Sequence, residues 1–350
     1  MRINRLRPVT SMHSVPQATS LRQAQALRRR ANIYAALDLG TNNCRLLVAR
    51  PEGHGFSVVD AFSRIVRLGE GIGEHGYLSE AAIERTIAAL KVCANKMRRR
   101  GVTRSRAVAT EACRRAANCE AFLARAARET GLEIEIISTA EEAMLALDSC
   151  VPLLSHNAEQ ALLFDIGGGS TELIWVKLAS GAPPEVKGWT SISYGVVTLA
   201  ERYGRDLIGA ERYGTMVDLI AAELAPFVSQ HRLTETAGQT VVQLLGTSGT
   251  VTTIAGVHLK LPRYDRSKVD GIALAFDAVR NVVDDLVVKD FAARSAHPCI
   301  GPGRGDVVIA GCAILDAIMR ACPVGGLTVA DRGLREGILL GMMRADNALT

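Results

Sequence analysis

Apolar runs along this chain are short, break at aspartate or glycine, and alternate with helical periodicities. IYAALDLG (33–40) is an apolar run closed by Asp and Gly, and CRLLVAR (44–50) resumes at once with strand character, so the pair predicts a β-hairpin. The extended pattern continues through FSVVDAFSRIVRLGEGIGEHGYLS (56–79) into a glycine-rich loop. Ser79 then offers an N-cap to a helix whose apolar positions Ile83, Ile87, Leu90, Ala94 and Met97 mark one buried face. Lys96, Arg98, Arg99 and Arg100 followed by Gly101 put cations and a C′ glycine at its end. RAVAT (106–110) reads as a strand, 111–129 as a helix closed by Gly131, EIEII (133–137) as a strand, and a further helix starts at Ser138. This order predicts an α/β fold with a mixed sheet.

VPLLSHNAEQ (151–160) is a polar break, after which ALLFDIGGGSTELIWVK begins the arrangement again. Laid without a gap over YAALDLGTNNCRLLVAR, it puts Asp165 on Asp38, Gly167 on Gly40 and Glu172 on Arg45, each 127 positions apart. A simple hairpin turn gives no reason for an aspartate to recur at the strand end. Further on, QLLGTSGTVTTIAG (243–256) is an apolar strand breaking into a Gly/Ser/Thr turn before a helix. PGRGDVVIAGCAILDAI (302–318) follows, and LTVADRGLREGILLGMM (327–343) reads as strand, turn and closing helix. LPRYDRSKVDG (261–271) between them reads as an exposed loop with solvent-facing basic residues.

Charge changes the picture only at the N-terminus. The 350 residues carry a net +5, but residues 1–32 hold seven arginines and no acid, leaving 34 Lys and Arg against 36 Asp and Glu in the body. A disordered basic tail is expected over 1–32. The basic residues around 96–106 are candidates for guiding a long polyanion, and a solvated helix end explains them equally well. No CxxC pair occurs among the eight cysteines, which read as reduced, buried thiols of a cytoplasmic protein. The seven histidines form no HExxH, and no run approaches the about 20 apolar residues of a membrane helix, so no membrane partner is expected.

The candidate chemistry lies in the turns. GTNN (40–43), GGGST (167–171) and GTSGT (246–250) each follow an apolar strand and can turn backbone N–H groups into a phosphate-binding concavity. Asp38 and Asp165, at equivalent strand ends, suit an Mg2+ ion whose shell is otherwise water and phosphate, although each could also cap its own turn. Ser138/Glu141 and Thr139/Glu142 both have capping-box spacing, and only one glutamate can serve one N-cap. The other is free to act as a general base. Arg114 and Arg115 start a helix, where cations oppose the dipole; residues that break a local rule are candidates for a phosphate site.

Two strand–Asp–x–Gly–strand units and a third glycine loop resemble the actin, Hsp70 and sugar-kinase superfamily. ALDLGTNNCRLLVA, ATEACRRAAN, IEIISTAEEA, FDIGGGSTEL, LGTSGT and ADRGLREGIL, in order over about 33–343, resemble its exopolyphosphatase / guanosine pentaphosphate phosphohydrolase (Ppx/GppA) branch. The resemblance implies two RNase H-like (actin-like ATPase) domains, each a mixed five-stranded sheet flanked by helices, with the active site in the cleft between them. It places them at 33–150, joined by the closing helix 331–350, and at 151–330. It makes Glu142 the base that activates water, Glu172 its acidic partner at the metal site, and Asp165 a magnesium-associated aspartate beside Asp38. Thr41, Asn42, Asn43, Gly167, Gly168, Gly169 and Ser170 become the phosphate cradle, joined by Thr247, Ser248 and Gly249 of the third loop. Arg114 lines the phosphate path. Two departures stand out: Asn43 replaces the usual hydroxyl, and the chain lacks the His-Asp pair of the long forms, so it resembles the short, two-domain form.

The activity so implied is Mg2+-dependent, processive release of phosphate from inorganic polyphosphate. Guanosine pentaphosphate (pppGpp) is the alternative substrate. An ATP-using kinase and a non-catalytic polyphosphate or nucleotide sensor are the alternatives of other classes. A homodimer is expected from the resemblance, and no nucleic-acid partner.

Overall fold

A computed structural model of the chain describes residues 32–204 and 208–349. The basic tail expected over 1–32 lies, all but Asn32, outside the described residues.

The first sheet contains β1 (Tyr34–Leu39), β2 (Asn43–Glu52), β3 (Gly55–Ile65), β4 (Arg104–Ala109) and β5 (Glu135–Ile136), in the order β3-β2-β1-β4-β5. β1 pairs antiparallel with β2 and parallel with β4. The second contains β6 (Gln160–Ile166), β7 (Thr171–Lys177), β8 (Glu185–Ile192), β9 (Val242–Thr247), β10 (Ala273–Ala275) and β11 (Gly326–Ala330), in the order β10-β11-β9-β6-β7-β8. Written from its other edge, this sheet repeats the first strand for strand, with β10 added antiparallel to β11. The two mixed sheets flanked by helices are therefore the expected actin-like fold, and the second has a sixth strand of three residues that no apolar alternation announces.

The repeat holds to the residue. Asp38 pairs with Arg45 across β1 and β2, and Asp165 with Glu172 across β6 and β7. Gly40 N–H donates to the Asn43 carbonyl at 2.9 Å, and Gly167 N–H to the Ser170 carbonyl at 2.9 Å. Both strand-end aspartates are thus delivered by one turn geometry used twice.

Helix Glu80–Arg99 starts on Ser79, whose hydroxyl accepts from Ala82 N–H, and buries the expected Ile83, Ile87, Leu90 and Met97. The expected single helix over 111–129 is two, Glu111–Arg115 and Cys119–Thr130, so Arg114 and Arg115 end a helix, where cations suit the dipole, rather than start one. Asn118 binds both backbone groups of Leu78, at 2.8 and 2.9 Å, and Ala117 N–H donates to Gly76 at 3.0 Å, so the chain leaves the helix to satisfy a neighbouring loop. EIEII keeps only two paired residues, both exposed at the sheet edge, before the chain turns into the next cap.

Two helices join the halves. Helix Thr139–Cys150 buries Ala143, Ala146 and Leu147 against Ala161, Leu163 and Ile174 of the second sheet. Helix Leu334–Ala345 buries Ile338, Leu339 and Met343 against Tyr34, Ala36 and Leu47 of the first. They meet where Gly337 passes the Leu145 carbonyl with no room for a Cβ. Among the described residues no helix is long and apolar enough to cross a membrane, and the eight cysteines are buried and unbridged.

Candidate active site

The ends of β1, β6, β9 and β11 and the turns after them surround one cavity of about 540 Å3. Asp38, Thr41, Asn42, Asn43, Glu142, Asp165, Gly167, Gly168, Gly169, Ser170, Thr247, Ser248 and Gly249 all line it. Arg114 and Glu172 do not line it; both stand behind its wall.

Each of the first two loops is held from behind by its carbonyls. Asn42 O accepts from Val66 and Arg67, and Thr41 O from Gly69, at 2.9 to 3.0 Å. Gly167 O accepts from Val196 at 3.0 Å and Gly168 O from Val197 at 2.8 Å, at the start of helix Val196–Tyr203. Among the described residues, the N–H groups of Thr41, Asn42, Gly168 and Gly169 have no backbone acceptor outside regular elements. Buried N–H groups are nearly always paired, so such a set is a ready anion cradle. The third loop is committed differently. Ser248 sits at φ 140°, a conformation L-residues rarely adopt, and its hydroxyl caps helix Gly249–His258 by accepting from Thr250 and Val251 N–H. Thr247 spends its hydroxyl on the Arg332 carbonyl.

Neither glutamate of the expected capping boxes reaches back to the helix start. Ser138 Oγ accepts from Glu141 N–H at 3.1 Å, while the Glu141 carboxylate turns outward to Arg106 at 2.5 Å. Glu142 faces the cavity and accepts from Arg114 Nη1 at 2.9 Å. Arg114 also donates to the Ile137 carbonyl at 3.0 Å and, through Nε and Nη2, to Glu111 Oε2 at 3.1 and 3.0 Å. Arg114 therefore fixes the Glu142 carboxylate from behind. Although burial opposes it, the charges of Glu142 and Glu111 raise its pKa.

Asp38, Glu142 and Asp165 line the cavity, with Glu172 behind its wall. Burial, then the charge of Glu172, pushes the Glu142 carboxyl up against the opposing pull of Arg114. Burial and then Glu142 push Asp165 up to about 7. Asp38 is raised by burial, and Glu172, which accepts from Ser191 Oγ at 2.8 Å, is raised by burial and then Asp165. Buried carboxyls of this kind either keep a proton or take a cation beside them. Among the described residues no three His, Cys, Asp or Glu side chains are grouped tightly enough to hold a metal alone. Mg2+ is bound by one or two carboxylates with water and phosphate completing its shell, so Asp38 and Asp165 fit it as a donor set.

Reasoning from sequence missed the cationic side of the cleft. Arg45, Arg304, Arg332 and Arg335 line it, with Tyr264. Burial, then Arg45, lowers the Arg304 guanidinium, and burial lowers Arg335. Arg45 could have been found as the residue that replaces Glu172 in the repeat. The others meet only in the folded chain. The basic residues around 96–106 do not line the cleft: Lys96 and Arg100 pair with Asp60 at 2.8 and 2.9 Å, Arg104 with Asp346 at 3.4 Å, and Arg106 with Glu135 and Glu141. That cluster is an ion-paired helix end and sheet edge. Over 261–271 the basic residues Arg263, Arg266 and Lys268 are exposed as expected, but the segment is not simply a loop: it holds a helical turn at Arg266–Val269, Val269 is fully buried and Tyr264 lines the cleft.

The profile of the Ppx/GppA phosphatase family matches residues 47–346. Among curated proteins, the chain is 28% identical over 323 residues to the guanosine-5'-triphosphate,3'-diphosphate pyrophosphatase of Photobacterium profundum, over 89% of this chain and 59% of that relative. It thus spans about three fifths of the relative's length. Among solved structures, the Aquifex aeolicus member of the Ppx/GppA family superposes with a TM-score of 0.74 and 30% identity, over 90% of this chain and 99% of that one. An exopolyphosphatase from Cytophaga hutchinsonii superposes with a TM-score of 0.81 over 91% and 100% of the two chains; at 23% identity this likeness concerns the fold alone.

Proposed function

The chain belongs to the Ppx/GppA phosphatase family, and from that premise we propose that it is an Mg2+-dependent exopolyphosphatase, removing terminal phosphate from inorganic polyphosphate by attack of a water that Glu142 activates. The observation that carries this reading is the placement of Glu142: on the cavity wall, released from capping, and fixed by Arg114 beside the unpaired N–H groups of two glycine loops.

In this reading the N–H groups of Thr41, Asn42, Gly168 and Gly169 hold the oxygens of the phosphate under attack. Fixed donors cost no reorganisation as charge develops, and losing one such donor costs about 3 kcal/mol. Glu142 takes the proton of the attacking water, and its raised pKa makes it a stronger base than an exposed carboxylate. Arg114 keeps that carboxylate aimed, and Glu172 lies behind Asp165. When bound, Mg2+ held by Asp38 and Asp165 would neutralise charge on the phosphate oxygens. Arg45, Arg304 and Arg335 would offset the charge of the phosphates that follow. A cytoplasmic homodimer belongs to the same proposal.

A second reading, hydrolysis of pppGpp, is favoured by the activity that names the Photobacterium relative. Phosphate release from long polyphosphate, pppGpp and ATP, with and without Mg2+, separates the readings. Glu142→Gln is expected to lower the rate on the true substrate by about 10²- to 10⁴-fold. Equal rates for the two proteins would remove Glu142 as the base, and turnover of ATP alone would move the chain out of hydrolysis of either polyphosphate or pppGpp.

A further inference from the structure

We propose that the segment Tyr264–Asp270 is a brace that holds Arg332 against the outer phosphates of a bound polyanion, and so sets how strongly the cleft prefers long chains. This inference rests on the functional reading above.

Three side chains of this segment reach the turn between β11 and helix Leu334–Ala345 or the first turn of that helix. Tyr264 Oη donates to Asp331 Oδ2 at 2.6 Å. Arg266 Nη2 donates to Glu336 Oε1 at 3.2 Å. Asp270 accepts from Asp331 N–H at 3.0 Å and from Arg332 Nε at 3.0 Å, and pairs with Arg332 Nη2 at 3.0 Å. From the opposite side the Thr247 hydroxyl donates to the Arg332 carbonyl, and Glu336 closes the turn by accepting from Gly333 N–H at 3.1 Å. The backbone of Arg332 and one edge of its guanidinium are therefore fixed, while the residue lines the cavity with 30% of its side chain exposed. A guanidinium has five N–H donors, and the Nη1 edge is not taken by Asp270.

The sheet order places this group. Asp165, next to last in β6, pairs with Thr247 at the end of β9, and Thr247 pairs with Ala330 at the end of β11. Arg332 follows two strand spacings from Asp165, about 10 Å across the strand ends. It faces a phosphate well removed from the one at the acidic floor. A contact so far from the reacting bond is made equally before and during the reaction, so it acts on binding rather than on the chemical step.

Calorimetric binding of pyrophosphate and of long-chain polyphosphate to a Glu142→Gln protein, alone and with Asp270→Asn, tests this without turnover. Asp270→Asn is expected to weaken long-chain binding about tenfold, the lower end of what a charge-assisted contact supports, and to leave pyrophosphate binding intact. Arg332→Ala should weaken long-chain binding at least as much, and adding Asp270→Asn to it should do nothing further. In turnover of long-chain polyphosphate by the otherwise native protein, Asp270→Asn should raise KM by a larger factor than it lowers kcat. Equal weakening of both ligands, no change in either, or additive effects with Arg332→Ala would overturn the brace. A Glu142→Gln protein that binds neither ligand removes the functional reading itself.

Discussion

Burial raises the pKa of Glu142, Asp165, Asp38 and Glu172, neighbouring carboxylates add to it, and the shift has a sign that can be measured. An acid held near 7 in the folded chain and near 4 in the unfolded one binds its proton more tightly when folded. The stability it contributes is fully present below about pH 4 and is lost as pH rises through about 7. The metal-free protein should therefore melt at a lower temperature at pH 8 than at pH 5. Mg2+ binds the ionised acids, so millimolar Mg2+ should raise the melting temperature by a few degrees at pH 8 and by much less at pH 5. His231 and His297 act in the opposite sense as pH falls, because burial holds their imidazoles below the usual value. The metal-dependent difference in calorimetry, not the raw melting temperature, is thus the readout, and an equal Mg2+ gain at both pH values would count against the acidic floor as the metal site. At this scale the sequence carried much of the site. Glu141 and Glu142 shared a capping spacing, and choosing between them by resemblance agrees with the geometry: one faces Arg106, the other the cleft. Glu172 was legible as an acid on a return strand, but its burial behind the wall was not, because it depends on Ser191 of a third strand.

Two copies of a strand–turn–strand element face each other in the cleft, and Gly168 and Gly169 of the second are there for space. A Cβ on Gly169 would stand 2.7 Å from Thr41 Oγ1 and 2.9 Å from Glu111 Cγ; one on Gly168 would stand 3.0 Å from Thr41 Cβ. Thr41 is buried and Glu111 is held by Arg114, so neither can yield at low cost. Gly169→Ala is therefore expected to lower phosphate release at least about tenfold, as displacement of fixed donors does. It should change the melting temperature little, since the clash lies between the two loops and not inside a core. Gly214→Ala, inside helix Ala210–His231, is the control. Nothing lies within 4 Å of a Cβ there, and helix propensity should make it more stable by about 0.5–1 kcal/mol with activity retained. Full activity of Gly169→Ala would mean that the loops need not close on each other. The duplicated unit was legible because its apolar run, aspartate and glycine all lie within a few residues of one another. The break in the helix at 116–118 was not, since it answers to Leu78 and Gly76, about 40 residues away in the chain.

Across the whole molecule, the contacts on the two sides of the cleft differ in kind. On one side, helices Thr139–Cys150 and Leu334–Ala345 pack backbone to backbone at Gly337 and bury apolar faces on both sheets. On the other side, the segment after β3 meets the second half through polar groups: Arg67 Nη2 pairs with Asp306 Oδ2 at 2.8 Å, and Gly71 N–H donates to Glu201 Oε1 at 3.1 Å. Packed helices resist separation more than a few polar contacts that water can replace. The packed side should act as the hinge and the polar side as the part that opens. This asymmetry was not legible in the sequence, where Arg67 and Asp306 are 239 positions apart and neither belongs to a motif. Arg67 also sits at φ 50°, a conformation that alanine would share at similar cost, so Arg67→Ala removes the ion pair without relieving the backbone. In small-angle scattering that variant should show a larger radius of gyration than the native protein when no ligand is present. Adding tripolyphosphate, which would bridge the loops of the two halves, should return it towards the native value, because a ligand that binds only the closed form shifts the population by its differential affinity. Superimposable scattering curves for the two proteins in the absence of ligand would show that this pair does not hold the cleft closed.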